Sequence, residues 1–175
     1  MSDDVIKAML ERRSVRSFRP DAVPEELISA IAEAGTYAPT GMGKQSPVII
    51  AVTDRKVRDQ LSALNAEIVG RPGTDPFYGA PAVFVVLADK SVPTHVYDGS
   101  LVMGNMLLAA SALGLGACWI HRAKETFERE EGREILNRLG ISGDYEGIGN
   151  CVVGYPAEPP KPAAPRKENY VYYLK

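Results

Sequence analysis

Residues 98–113 read DGSLVMGNMLLAASAL. Apolar side chains occupy nearly every face of a helical projection of this stretch, with Asn105 and Ser111 the main polar interruptions. A helix buried all round is therefore expected, and in a chain of 175 residues such a helix points to a subunit interface. Asp98, at its start, reads as the N-cap.

Strand signals lie on either side. Residues 48–52 and 82–87 are short apolar runs rich in β-branched side chains, separated by an amphipathic stretch over 54–66, which gives strand, helix, strand. Beyond the apolar helix, Gly114 and Gly116 lead into a strand over 117–120. A helix over 124–139 and a last core strand over 148–153 follow. Toward the N-terminus, Val5, Ile6, Met9 and Leu10 recur at helical spacing behind Ser2 or Asp3 as cap, so a first helix is expected to run to Arg13. Pro24 with Glu25 and Glu26 opens a second helix, its acids matched to the dipole. Pro39 and the Gly41-Met42-Gly43 stretch end it. After Tyr155, five prolines exclude a helix, and the chain closes on the strand-like Tyr170-Val171-Tyr172-Tyr173. The alternation of strands and helices is equally compatible with a parallel α/β sheet.

The composition, 45% hydrophobic and 24% charged, fits a single domain over 1–175 that buries about 70% of its unfolded surface. A net charge of −2 argues against nucleic-acid binding. The longest apolar stretch is shorter than the ~20 residues that cross a bilayer, and the acidic start is unlike a secretory signal, so no membrane role and a cytoplasmic location are expected. Cys118 and Cys151 sit in apolar segments and lack zinc spacing, so both read as core thiols. Neither His95 nor His121 has a metal partner at ligand spacing. Gly114-Leu115-Gly116 follows a helix and lacks a third glycine, so it reads as a helix cap rather than a dinucleotide fingerprint.

Two segments could carry chemistry. Arg12-Arg13-Ser14-Val15-Arg16 gathers three guanidinium groups and a hydroxyl at a helix end. Such a cluster is either a solvated helix terminus, whose cations complement the dipole, or an anion site in which guanidinium forks supply the attraction. Ala38-Pro39-Thr40-Gly41-Met42-Gly43-Lys44-Gln45 is either an ordinary connector or a loop whose backbone approaches a flat ring, with Gln45 offering a donor and an acceptor.

In order and context these segments resemble the nitroreductase family: the Arg12–Phe18 motif, Ala38-Pro39-Thr40 with Gln45, and Gly79-Ala80-Pro81 before a strand. Further on come Asp98 and Asn105, the run from Gly114 to Ile120, Gly154-Tyr155-Pro156, and Pro165-Arg166-Lys167. The resemblance spans the chain. It implies an α+β fold with a central, mainly antiparallel sheet flanked by helices, in an entwined homodimer whose tail, 155–175, crosses to the partner. It also implies two FMN molecules at the interface and NADH or NADPH as electron donor to a small-molecule acceptor.

By position, Arg12 and Ser14 would hold the FMN phosphate with Arg166 and Lys167, and Arg13, in the same motif, is also expected to bind the cofactor. Arg16 would lie near the flavin pyrimidine, where a cation favours the charge gained on reduction. Pro39, Thr40, Gly41 and Gln45 belong to the loop that reaches the flavin from the partner, Asn65 would contact the ring, and backbone near Trp119, Ile120 and His121 would face it with an N–H toward N5. No side chain is expected to act as acid or base, and no metal is expected. Departures are Gly43 in place of an asparagine, Ser46-Pro47 after Gln45 without a tryptophan, and Arg122 where many members carry a small residue. Arg122 over the flavin face is the feature that favours the alternative, a flavin-binding module without turnover.

Overall fold

The computed structural model describes residues 2–175, with Ser2 and Asp3 described by backbone alone. The cap expected of those two side chains lies outside the described residues. Among these, four strands form a sheet: β1 (Pro47–Val52), β2 (Ala82–Asp89), β3 (Gly116–Ile120) and β4 (Tyr145–Gly154). Their order is β1-β2-β4-β3 and every neighbouring pair is antiparallel. The parallel alternative is thereby excluded.

The continuous apolar run of β2 is explained by cover on both faces. Ala82, Phe84, Val86 and Ala88 pack into one core layer and Val83, Val85 and Leu87 into the other, as the period of two requires. The first layer is closed by α2 (Glu25–Thr36) and α4 (His95–Ala112), through Ile28, Ile31, Met103 and Met106. The second is closed by α3 (Arg55–Ile68), α5 (Ala123–Glu128) and α6 (Glu130–Arg138), through Leu61, Phe127, Ile135 and Leu136. A bulge in β4 opposite Val86 and Leu87 leaves Ile148 unpaired and turns it toward α4, where a Cβ on Gly99 would lie only 2.5 Å from Ile148.

Several boundaries differ from the sequence reading. Helix α1 (Ser2–Glu11) stops before the arginines, because Ser14 bridges to Ala117 and the Val15 N–H donates to the Ala117 carbonyl at 3.0 Å, pulling the chain onto the edge of β3. The single helix expected over 124–139 breaks at Arg129, which is extended. Gly132 lets α6 fold back against the Thr126–Phe127 backbone, where a Cβ would meet the Thr126 carbonyl at 2.3 Å. Within the single chain α4 is not buried all round: Tyr97 is 72% exposed and Leu101 is also exposed. Residues 170–173 form no strand, having no backbone neighbour to pair with, and the tail is exposed from Ala157 onward.

Asp98 does not cap α4, because the helix starts one turn earlier, behind Thr94. Its buried carboxylate accepts instead from the Gly41 N–H at 2.9 Å, the Ser46 hydroxyl at 2.8 Å and the Thr94 hydroxyl at 3.1 Å. It thus latches the 40–46 loop onto α4. Burial pushes the Asp98 carboxyl up, but the bonds from Gly41, Ser46 and Thr94 outweigh it and hold the group below the usual carboxylate range.

Two outcomes are expected in denaturant titrations. Gly147→Ala should destabilise the fold by about 1–3 kcal/mol, as its Cβ would sit 2.3 Å from the Ala123 carbonyl, a backbone group that cannot swing away. Asp98→Asn should cost about 1–3 kcal/mol at neutral pH. Because the Asp98 carboxyl is depressed in the folded state, its contribution is complete above about pH 4 and is lost as pH falls through the folded value, so the gap between variant and wild type should narrow in acid.

Candidate active site

The sheet opens into a cleft where β3 ends. Ile120 is the last paired residue, opposite Asn150 of β4, and the chain then turns through His121 and Arg122 into α5. Arg122 holds the left-handed conformation at φ 76°, ψ 14°, which costs a non-glycine residue about 1–2 kcal/mol. Two buried amides secure the turn. Asn65, from α3, donates from Nδ2 to the His121 carbonyl at 2.7 Å, and Asn150 donates from Nδ2 to the Ile120 and His121 carbonyls at 3.4 Å each. The N–H of the same 121–122 peptide, on Arg122, finds no acceptor among the described residues.

The cleft, about 560 Å³, is lined on the sheet side by Arg16, Asn65, Trp119, Ile120, His121 and Arg122 and on the far side by the 69–78 loop, including Arg71, Pro76 and Tyr78. Asp75 organises that loop, accepting from the Phe77 N–H at 3.0 Å, the Gly79 N–H at 2.7 Å and the Ser62 hydroxyl. Its ion pair at 2.7 Å is with Arg58, a guanidinium only 3% exposed that also donates to the Ala80 carbonyl and to Asp59. Burial raises the Asp75 carboxyl, and the bonds from Arg58, Ser62 and Gly79 bring it below its ordinary range, so the pair stays charged. Thr126 closes the other flank, its hydroxyl on the Arg122 carbonyl at 2.8 Å.

The arginine cluster lies beside the cleft and is divided in role. Arg13 donates to the Leu10 and Arg12 carbonyls at 2.7 and 2.6 Å, so it closes the end of α1. Arg12 buries an Nη1 with no partner, near Cys151, and Arg13 likewise leaves its Nε buried without one. An unpaired buried guanidinium nitrogen is costly, and an anion is the group that satisfies it. Ser14 and Arg16 are exposed. The Cys151 thiol is pushed up to about 12 by burial and by Cys118, with Arg12 opposing, so it is no nucleophile at neutral pH.

Not all the candidate residues meet here. Thr40 and Gln45 line a separate groove of about 300 Å³ with Ala32 and Val102, and the Gln45 N–H donates to the Thr40 hydroxyl at 3.0 Å. Gly41 is held by Asp98, and Pro39 adjoins the same loop. Arg166 donates to its neighbour Ala164, and Lys167 sits 5.2 Å from the Tyr170 ring, so in the single chain neither reaches Arg12 or Ser14. A second large depression is lined by Lys90, Lys124, Asp144 and Glu146, of which Lys90 pairs with Asp144 and Lys124 with Glu146, together with Glu128 and Arg133. No metal-ligating cluster is present among the described residues, and none of their helices is long and apolar enough to cross a membrane. Gly114, at φ 78°, ends α4 as a cap, in line with its reading from sequence.

Asn150, Arg58 and Asp75 were not singled out from sequence. The available signal was a lone amide in an otherwise apolar core strand for Asn150. Arg58 and Asp75 gave none, since their pairing spans 17 residues.

Comparison with known proteins agrees with this architecture. The Nitroreductase family model matches residues 9–155. A protein of Methanothermobacter thermautotrophicus named for NADH dehydrogenase/NAD(P)H nitroreductase is 31% identical, over 90% of this chain and 80% of its own length. An FMN reductase [NAD(P)H] of Bacillus subtilis is 25% identical, over 89% of this chain and 67% of its own. The crystal structure of a nitroreductase with bound FMN from Bacteroides fragilis superposes with a TM-score of 0.86 at 26% identity, covering 98% of this chain and 99% of the other. The family model covers more than half of the chain, the Methanothermobacter relative is 31% identical over most of both lengths, and the fold superposes along nearly the whole chain: the chain belongs to the nitroreductase family.

Proposed function

We propose that the protein is an FMN-dependent oxidoreductase that uses NADH or NADPH to reduce a nitroaromatic, a quinone or a similar oxidised acceptor. The observation that carries this reading is the buried, unpaired Nη1 of Arg12, in the same short motif as Arg16, which lines the cleft of about 560 Å³ at the end of β3. When bound, FMN would supply the redox chemistry, a two-electron relay between nicotinamide and acceptor in ping-pong order.

The chain supplies binding and electrostatics. Arg12 and Ser14 hold the phosphate, with Arg166 and Lys167 brought in from a tail, while Arg13 braces the helix end behind them. Arg16, on the cleft, stabilises the negative charge that the ring gains on reduction. Asn65 spends one N–H on the His121 carbonyl, which leaves its second N–H and Oδ1 for the ring. Trp119, Ile120 and His121 present backbone to it. No side chain has to move a proton.

A homodimer completes the site. In the single chain, Val5, Ile6, Met9 and Leu10 of α1, Tyr97 and Leu101 of α4, and Tyr170 to Leu174 of the tail all leave apolar surface in water. The outer edge of β1 has no strand beside it, a place where an extended tail can add one. Pro39, Thr40, Gly41 and Gln45 then reach the partner's ring from the neighbouring groove. The flavin-storage alternative rests on Arg122 crowding the ring face. Its guanidinium is bonded to Glu125 at 2.7 Å, toward α5, which supports the enzyme reading instead.

Fluorescence titration of the apoprotein with FMN checks the assignment. Arg12→Ala and Arg166→Ala should each weaken binding by one charge-assisted bond, about 1.5–3 kcal/mol, or roughly 10- to 100-fold. Arg13→Ala should change it far less. Unchanged affinity in both of the first two variants would sink the phosphate assignment, and a monomer by light scattering would remove the dimer.

A further inference from the structure

Asn150 has no assigned role, yet it breaks the rule by which β4 is built. It is 1% exposed within an otherwise apolar run, it shares its face of the strand with Val152, and its Oδ1 is buried without a partner. A bare buried carbonyl costs about 1–3 kcal/mol, which a valine or leucine in its place would avoid. The compensation is on its other atom, since Nδ2 lies 3.4 Å from both the Ile120 and the His121 carbonyl oxygens.

We infer that Asn150 is a positioning residue for the flavin: with Asn65 it fixes the 121–122 peptide so that the Arg122 N–H is presented as a hydrogen-bond donor to flavin N5. This rests on the FMN reading above. The carbonyl of His121 and the N–H of Arg122 belong to one planar, conjugated group, so a carbonyl clamped from two sides fixes the direction of the N–H as well. Donation to the oxygen also polarises the peptide and strengthens the N–H as a donor. The two clamps come from different elements, α3 and β4, and cannot drift together. The position of Arg122 fits the same account: it lies past the last ladder pair of β3 and at the N-cap of α5, where neither strand nor helix supplies its N–H with an acceptor.

The test is the ¹⁵N resonance of N5 in oxidised, ¹⁵N-labelled FMN bound to wild type and to Asn150→Leu. A hydrogen bond to N5 shields that nucleus. In the variant the N5 resonance should move downfield, toward the value of flavin without such a bond, while N1 and N3 stay in place and FMN affinity is kept. Reduction by NAD(P)H should slow through kcat rather than KM. An N5 resonance that does not move overturns the inference. If Asn150→Leu fails to fold, a scalar coupling between N5 and the Arg122 amide nitrogen in the wild type decides, its absence again overturning it. A wild type that binds no FMN defeats the function proposed above instead, so the two failures are distinguishable.

Discussion

Where β3 stops pairing, at Ile120, the backbone has to leave the sheet without stranding its carbonyls in the interior, because a buried peptide oxygen without a donor costs as much as a lost hydrogen bond. The amide of Asn65 meets that constraint at 2.7 Å on the His121 carbonyl, and much of the cleft follows from it. It ties α3 to the end of the strand and holds the left-handed turn at Arg122 from which α5 starts. The same bond uses one of the two Asn65 N–H donors, leaving the other and Oδ1 for a ligand.

The opposite wall depends on α3 as well. Arg58 and Asn65 lie two turns apart on this helix. Arg58 is a buried charge, tolerable because Asp75, Asp59 and the Ala80 carbonyl satisfy it, and through Asp75 it shapes the loop that carries Tyr78 and Arg71. One helix therefore positions both walls, itself anchored by Leu61 in the core layer that holds Val83, Val85 and Leu87 of β2. On the other face of the sheet, Asp98 does the equivalent work for the 40–46 loop, joining it to α4.

The layers of the fold were legible because apolar periodicity reports burial. The run at 82–87 announced a strand, though not its cover on both faces, and the apolar residues of α2 and α3 announced one-sided helices. Strand direction was not legible, since side-chain period is the same in parallel and antiparallel sheets, and antiparallel order came only from resemblance. The break at Arg129 was hidden because it depends on the fit of Gly132 against a distant backbone, and the end of α1 because a bridge from Ser14 to Ala117 outcompetes helical continuation. At the site, Arg16, Asn65 and the 119–121 stretch line one cleft, whereas Thr40 and Gln45 line another groove of the single chain. Asn150 escaped notice because a single amide in a core strand has no local pattern, and its significance rests on a partner 29 residues away.

The central claim is that this sheet end holds a flavin that nicotinamide nucleotides can reach. The most direct measurement is the visible absorption spectrum of the protein reconstituted with FMN, recorded anaerobically before and after addition of NADH and then NADPH. The account expects flavin bands that bleach on addition of at least one of the two nucleotides and return when an oxidised acceptor is supplied. Bands that persist with both nucleotides, or a protein that takes up no FMN, would contradict it.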